Sequence, residues 1–167
     1  RIITDGACVG NPGPGGWAAI IISEDGTREE IGGSVPNTTN NRMELRAAIE
    51  GLRHVATGVP VIVVTDSEYL RRGISEWLPS WKARGWRTAD GKPVENRDLW
   101  EELAILATRH VAWESVRGHA GHPDNERAND LAQSYAAALN PAISLAALSH
   151  TQHIPPIHQE QGNQHIE

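Results

Sequence analysis

The sequence predicts one α/β domain built on a mixed five-stranded sheet. Three strand-like runs come first, a helix-like segment separates the third run from the fourth, and helices precede and follow the fifth. The five strands are predicted at residues 1–5, 17–23, 27–35, 61–65 and 111–116. Strands joined by short turns pair antiparallel, whereas strands separated by helices usually pair parallel. The order therefore predicts three antiparallel strands and then two parallel strands, flanked by helices.

The first three strands are predicted to be adjacent. A turn-rich stretch at 6–16 joins the first strand to the second, and Asp25-Gly26 joins the second strand to the third. Asp-Gly is typical of the two-residue turn of a β-hairpin. The second strand is rich in Ile, which favours a half-buried or buried strand.

A helix is predicted from Asn41 to about Ala56, between the third and fourth strands. Residues 36–40 break the third strand and supply side chains that cap a helix N-terminus. Apolar residues then recur at helical spacing, at positions 45, 48, 49, 52 and 55. Gly58 and Pro60 stop this helix. The β-branched run 61–65 that follows is typical of a central strand buried on both faces.

Helices and one strand alternate in the rest of the chain. Short helices follow the fourth strand, with loops near 84–86 and 90–93, and longer helices are predicted at 98–108 and 124–139. The predicted domain spans residues 1–140. Residues 141–167 hold four of the eight His, repeated Gln and little amphipathic order, so we expect a flexible tail.

Length and composition indicate an ordinary intracellular domain. The 167 residues suffice for one sizeable core. No run approaches the roughly 18 apolar residues of a membrane span, and no signal peptide opens the chain. The first residue, Arg1, lies almost inside a strand, so we expect a few upstream residues to be missing. The single cysteine, Cys8, excludes an internal disulfide and favours a reducing compartment. We expect a cytoplasmic monomer with no membrane partner.

The charge distribution localises a predicted phosphate-binding surface. The net charge is −6, which by itself argues against a nucleic-acid partner. Residues 71–97, however, carry seven Lys or Arg and three acidic residues, a local balance of +4. The remainder of the chain carries −10. The basic segment is therefore the part of the chain expected to face phosphates.

Three carboxylates stand in matched settings. Asp5 and Asp66 each end an apolar strand, and Glu44 lies near the start of a helix. Taken singly, Asp5 could be a turn residue, Asp66 a helix N-cap and Glu44 a capping-box acid. Adjacent parallel strands would instead bring both Asp residues to one sheet edge, and the covering helix would add Glu44. Buried acids need a positive partner, and carboxylates suit magnesium or manganese.

Five short segments, in a fixed order, carry a resemblance to a known family. They are Thr4–Cys8, Asn11–Gly16, Thr39–Leu45, Thr65–Ser67 and Gly118–Pro123. The ordered set resembles bacterial ribonuclease HI, of the type 1 ribonuclease H family, from residue 1 to about residue 140. The resemblance implies the ribonuclease H-like fold and an endonuclease acting on RNA–DNA hybrids. It implies hydrolysis of the RNA strand to 5′-phosphate products with two Mg²⁺ ions, for which Mn²⁺ can substitute.

The resemblance also implies metal ligands, and one of them is altered here. Asp5 is expected to bridge two ions about 4 Å apart, while Glu44 and Asp66 complete one site. The family's fourth ligand is an Asp in the last helix, and Asn129 occupies that position. At helical spacing Asn129 flanks the apolar stripe, whereas Asp130 faces solvent and is not expected to replace it. The stripe consists of residues 128, 131, 132, 135 and 139.

The change at position 129 has a predicted consequence. Asn129 offers one neutral oxygen and removes a full negative charge from a site that has to hold two dications. Metal affinity or turnover should therefore fall. We favour a deliberate Asp-to-Asn change over a natural variant.

Two histidines lie three residues apart, which raises a zinc site as an alternative. No Cys lies near His119 or His122, and Gly, Ala and Pro surround them, so a zinc site is disfavoured. His122 is interpreted as a solvated loop residue. For His119 the resemblance implies a mobile catalytic residue that orients water or assists product release, a role that suits imidazole chemistry.

Several short polar residues are candidates for substrate contacts. Amide and hydroxyl groups suit a wide, shallow minor groove lined by 2′-hydroxyls, and Asn-Asn is equally typical of turn and cap chemistry. These candidates are Asn11, Thr39, Asn40 and Asn41. Thr39 and Asn40 could also fix a phosphate. Cys8 is a contact residue by resemblance, and a small packed thiol is equally consistent with the sequence.

Residues 77–97 resemble the basic protrusion with which the family grips the DNA strand. Aromatic and basic residues alternate there, and the alternative is a Trp-rich packing cluster with a solvated rim. The expected phosphate contacts are Lys82, Arg84 and Arg87. Trp77 is expected against deoxyribose, with Trp81 and Trp86 serving partly as core.

Two other functions are consistent with these residues. The first is a hybrid-binding module that no longer cleaves, because a basic segment is retained while a carboxylate is lost. The second is a DNA-cutting member of the same superfamily, such as a transposase or resolvase. The second is disfavoured because the segments Asn11–Gly16 and Thr39–Glu44 are typical of the hybrid-cleaving type.

Overall fold

The computed structural model describes residues 1–116 and 122–139, and its centre is a mixed sheet of five strands. The strand order is β3-β2-β1-β4-β5, with antiparallel β1–β2 and β2–β3 pairs and parallel β1–β4 and β4–β5 pairs. The predicted topology is confirmed. The strands are β1 Ile2–Cys8, β2 Gly13–Ile22, β3 Arg28–Thr38, β4 Val61–Thr65 and β5 Val111–Ser115.

Helices lie on both faces of this sheet. A single π-helical turn, Gly73–Trp77, joins the second helix to the third. Thr39 caps α1, since its hydroxyl oxygen accepts from the Arg42 amide at 3.3 Å. The α-helices are α1 Asn40–Arg53, α2 Glu68–Arg72, α3 Leu78–Ala83, α4 Arg97–Leu106 and α5 Pro123–Ala138.

The predicted turn at residues 6–16 is largely wrong. Strand β1 continues to Cys8 and β2 begins at Gly13, so the connection between them is short. Gly15 and Gly16 pair with Cys8 and Ala7 in the ladder. Glycine is a common turn residue, but here its missing side chain lets other backbone segments come close to the sheet.

The predicted break at Pro36 is also wrong, because β3 continues to Thr38. Strand β3 is an edge strand of the sheet, where a residue without an amide proton costs no ladder hydrogen bond. The register also shifts there, from Gly15↔Val35 to Gly13↔Thr38. Pro36 therefore sits in an irregular stretch of an edge strand, where proline is tolerated. The bounds of β4 match the prediction, and the other boundaries lie within three residues of theirs.

The core has two parts, one on each face of the sheet. On one face α1 and α4 pack against β1, β2 and β4, with Trp100 fully buried. On the other face α5 lies across β1 and β2 through small residues, including Ala128, Ala132 and Ala136. A Cβ atom on Gly16 would lie 2.2 Å from the Ala132 carbonyl oxygen. The backbone of α5 therefore rests directly on β2, which fixes its position.

Within residues 1–116 and 122–139, no helix is long and apolar enough to cross a membrane. The predicted tail at 141–167 and His119 lie outside the described residues.

Candidate active site

The parallel pairing of β1 and β4 brings two carboxylates together. Ile2 pairs with Val63 and Ile3 with Val64, so the same register extended by two residues places Asp5 opposite Asp66. Asp5 is a buried strand residue, paired with Ala18 on its other side, and is not a turn residue. Ser67, and not Asp66, caps α2 by accepting from the Leu70 amide at 3.1 Å.

Glu44 joins these two residues because α1 crosses β1 at a glycine. A Cβ atom on Gly6 would lie 2.5 Å from the backbone nitrogen of Glu44 and 2.5 Å from the carbonyl carbon of Met43. Only a residue without a side chain permits this approach. Glu44 is the fifth residue of α1, beyond the third helical position that a capping-box acid occupies.

The three carboxylates form one cluster. One oxygen from each of Asp5, Glu44 and Asp66 lies within 4.8 Å of the other two. Asp5 and Glu44 are 4% and 5% exposed, and Asp66 is half-buried. Burial raises the pKa of Glu44 well above its ordinary range, and the negative charges of Asp5 and Asp66 raise it further. Like charges held this close and this far from water are unfavourable without a cation.

The donor atoms of the cluster fit a hard divalent cation. Every donor is a carboxylate oxygen, the type that magnesium and manganese prefer. Glu44 Oε2 is buried and has no hydrogen-bond partner among the described residues. Buried polar atoms nearly always have a partner, so a lone carboxylate oxygen in an acidic cluster is consistent with a metal ligand.

Asn129 lies in the same cavity as the three carboxylates. This cavity, which we call the acidic cavity, has a volume of about 770 Å³. The Asn129 side-chain oxygen accepts a hydrogen bond from Gln133 Nε2 at 3.4 Å. Asp130 is exposed and does not line the cavity. The positions of Asn129 beside the buried face of α5 and of Asp130 on its exposed face agree with those predicted from helical spacing.

The predicted polar contacts divide between the acidic cavity and a neighbouring one. Cys8, Asn40 and Asn41 line the acidic cavity. Asn11 and Thr39 line the neighbour, a cavity of about 540 Å³ that Asn40 and Asn41 also line. The Asn11 side-chain oxygen accepts from the Asn40 amide at 3.0 Å. The Cys8 thiol lies 3.4 Å from the Thr38 carbonyl oxygen, an arrangement compatible with a packed thiol.

The Trp, Lys and Arg residues of the basic segment lie outside the lining of both cavities, and the segment shows features of both predicted roles. Trp77 and Trp81 pack at a tilt with ring centroids 5.7 Å apart, and Trp81 meets the buried Trp100 edge-on at 5.4 Å. Trp81 and Trp86 pack against the core, as predicted. The expected phosphate contacts are exposed, and none forms an ion pair within the described part of the chain. They are Lys82, Arg84 and Arg87.

Three residues near the site were not predicted from the sequence: Tyr69, Asn96 and Gln133. Tyr69 lines the acidic cavity, and its hydroxyl accepts from Asn96 Nδ2 at 3.0 Å and from Trp100 Nε1 at 2.9 Å. No local pattern connects residue 69 with residue 96. Gln133, by contrast, follows Asn129 by four positions on a helix, so its place on the same face was readable from the spacing.

A mixed sheet of this order, with buried carboxylates converging beside two of its parallel strands, defines the class of ribonuclease H-like metal-dependent nucleases. Comparison with known sequences agrees, because residues 1–137 match the family model for RNase H. The chain belongs to the ribonuclease H family.

Individual relatives support the same assignment. A ribonuclease H of Cupriavidus necator is 59% identical over 132 residues, which cover 78% of this chain and 90% of that protein. A ribonuclease H of a Cyanothece strain is 52% identical over 145 residues, covering 86% and 92%. Among solved structures, LC9-RNase H1 is 39% identical with a TM-score of 0.71, covering 83% of this chain and 72% of that one. It is described as a type 1 RNase H with the type 2 active-site motif.

These comparisons confirm the predicted family, fold class and enzyme class. The protein is a hydrolase of the nuclease type, and its family uses divalent metal ions.

Proposed function

We propose that this protein is an endonuclease that hydrolyses the RNA strand of RNA–DNA hybrids with the aid of two divalent metal ions. The observation that carries the proposal is the cluster of Asp5, Glu44 and Asp66, with oxygens within 4.8 Å of one another in a cavity open to a ligand. The curated relatives named ribonuclease H support the choice of substrate.

Asp5, Glu44 and Asp66 would hold the metal ions, with the Asn129 amide oxygen as a neutral fourth ligand. Mg²⁺ is the expected ion and Mn²⁺ the expected substitute, since both prefer oxygen ligands. The bound pair supplies an activated water and charge stabilisation for the leaving oxygen. By the family resemblance Asp5 would serve both ions, and its strand β1 packs against α1, which carries Glu44, and pairs with β4, which leads to Asp66.

The walls of the site suit an RNA strand. Asn40 and Asn41 stand where the two cavities meet, so their amides can donate to or accept from ligand groups on either side. Neutral amide groups of this kind can read 2′-hydroxyls, which distinguish RNA from DNA. Lys82, Arg84 and Arg87 would then contact phosphates of the DNA strand, beside Trp77.

His119 completes the proposal. It is assigned to water orientation or product release on the family resemblance alone.

One observation favours a second candidate, a hybrid-binding module with little or no cleavage. The proposed metal ligands are the three clustered carboxylates and the Asn129 amide, so the ligand set carries less negative charge than four acids would provide. Weaker metal binding would attenuate cleavage while leaving the basic segment intact. The two candidates differ only in turnover.

A direct experiment compares three labelled duplexes, RNA–DNA hybrid, double-stranded RNA and double-stranded DNA, with Mg²⁺ and with Mn²⁺. We expect cleavage of the RNA strand of the hybrid only, and loss of that cleavage in the Asp5→Asn variant. Equal loss of double-stranded DNA would refute the proposal. Tight binding of the hybrid without cleavage by either metal would establish the second candidate.

A further inference from the structure

The neighbouring cavity is lined by one negatively charged residue, although a nucleic-acid backbone is itself negatively charged. Its described lining consists of five uncharged polar residues and one carboxylate, that of Glu95. Glu95 is exposed, and it belongs to a segment that is otherwise strongly basic. The five uncharged lining residues are Asn11, Thr39, Asn40, Asn41 and Asn96.

The Arg42 side chain, which contacts the cavity-lining Asn96, is already paired with a carboxylate. The Arg42 guanidinium donates to both carboxylate oxygens of Asp98, at 2.9 Å and 2.7 Å, and to Asn96 Oδ1 at 3.3 Å. This bidentate pair is close to neutral, and the carboxylate holds the guanidinium in place. No ion pair is formed by Glu95 within residues 1–116 and 122–139. The described lining of the cavity therefore carries one negative charge and no cation.

The two cavities adjoin at Asn40 and Asn41, which line both. A nucleic-acid strand that binds across Asn40 and Asn41 spans both cavities. Each strand of a duplex carries one phosphate for about every 3.4 Å of its axis. A strand that crosses both cavities therefore brings at least one phosphodiester close to Glu95.

We infer that Glu95 is an affinity-determining residue: its carboxylate opposes a backbone phosphodiester at the second cavity and weakens nucleic-acid binding there. The inference rests on the proposed function, because it assumes a duplex over the acidic cavity. Sequence-independent binding to nucleic acid comes chiefly from phosphate neutralisation. A carboxylate in the binding track therefore limits affinity for the backbone and leaves recognition at this cavity to its neutral amides.

Binding is best measured without turnover, in an Asp5→Asn background, by fluorescence polarisation of a labelled RNA–DNA hybrid at several salt concentrations. We expect Glu95→Gln to lower Kd by about threefold, the size of a typical exposed charge interaction. Glu95→Lys should lower Kd by about tenfold. It should also steepen the dependence of log K on log salt by roughly 0.7 to 0.9, the value for one added phosphate contact.

Glu24→Lys is the matched control, since it changes the charge by the same amount as Glu95→Lys. Glu24 lies in the turn between β2 and β3, at the opposite end of these strands from Gly13 and Thr38. It should leave Kd almost unchanged. Hybrids with a single neutral methylphosphonate in one strand would then locate the contact. When the methylphosphonate replaces the linkage that faces Glu95, the protein that retains Glu95 should bind the hybrid more tightly. The Kd of the Glu95→Gln variant should not fall.

The results separate this inference from the proposed function. If Glu95→Gln and Glu95→Lys bind the hybrid as Glu95 does, or if Glu24→Lys gives the same gain, the inference is refuted even when the unmodified protein cleaves hybrid. If Glu95→Lys tightens hybrid binding while the protein with Asp5 intact cleaves no hybrid, the inference stands and the proposed cleavage is refuted.

Discussion

Restoring a carboxylate at position 129 is the sharpest test of the proposed metal site. Asn129 lines the cavity that Asp5, Glu44 and Asp66 share, so Asn129→Asp adds a fourth acid where the other three already meet. The side chain changes little in size. Among the described side chains, only Gln133 donates a hydrogen bond to Asn129, at 3.4 Å, and a carboxylate can accept this bond as well. The substitution therefore changes charge far more than shape.

The expected gain follows from that charge. Two unit charges about 4 Å apart attract by about 1 kcal/mol even at the dielectric constant of water, and a dication doubles this to about 2 kcal/mol. A tenfold rate increase needs only about 1.4 kcal/mol of barrier. We therefore expect Asn129→Asp to raise Mg²⁺-dependent cleavage at least tenfold.

The assay is cleavage of a labelled RNA–DNA hybrid by the unmodified protein and by the Asn129→Asp variant, across a titration of Mg²⁺ and then of Mn²⁺. Asp130→Asn is the matched control, because Asp130 is exposed on the same helix and lies outside the cavity. That control should cleave at the unmodified rate. An unchanged rate in Asn129→Asp would show that position 129 is not a working ligand and that three carboxylates suffice.

Three further predictions concern the framework of the site. Because burial, and then Asp5 and Asp66, raise the pKa of Glu44 above its ordinary 4.5, the folded protein keeps a proton that the unfolded chain releases. Metal-free stability should fall as pH rises from about 4.5 through the raised pKa, and Glu44→Gln should remove that part of the slope in urea denaturation with EDTA. Gly16→Ala should destabilise the protein by about 1–3 kcal/mol, since its Cβ would lie 2.2 Å from the Ala132 carbonyl oxygen; an unchanged urea midpoint would contradict this packing. Tyr69→Phe should cost about 1–3 kcal/mol in the same assay, because Trp100 Nε1 and Asn96 Nδ2 lose their acceptor. Tyr135→Phe, whose hydroxyl has no hydrogen-bond partner in the described part of the chain, should cost less.

The sheet topology was predictable because it depends on local patterns and general connection rules. Apolar runs locate the five strands, and the intervening helix makes β1 and β4 parallel. Once these strands are neighbours, their register places Asp5 opposite Asp66. The helical spacing of α5 likewise separates Asn129 from Asp130 without any tertiary information.

The wrong predictions concern residues whose conformation is determined by tertiary contacts. Gly16 looks like a turn residue, yet it lies in β2 because α5 needs its missing side chain. Pro36 looks like a strand breaker, yet an edge strand tolerates it. The hydrogen bond between Asn96 and Tyr69 joins residues 27 positions apart, and no periodicity in the sequence encodes such a contact.

Asn129 also bears on stability, and here metal binding and folding make opposite demands. In the metal-free protein the three carboxylates lie close together, and the pKa of Glu44 is raised first by burial and then by the negative charges of Asp5 and Asp66. A fourth carboxylate would add to this negative charge, so Asn129→Asp should lower metal-free stability while raising the stabilisation that Mg²⁺ provides. A neutral amide therefore gives a more stable metal-free fold and a weaker metal site. Thermal denaturation of the unmodified protein and the variant, with EDTA and with Mg²⁺, tests this, and a higher metal-free Tm for the Asn129→Asp variant would refute it.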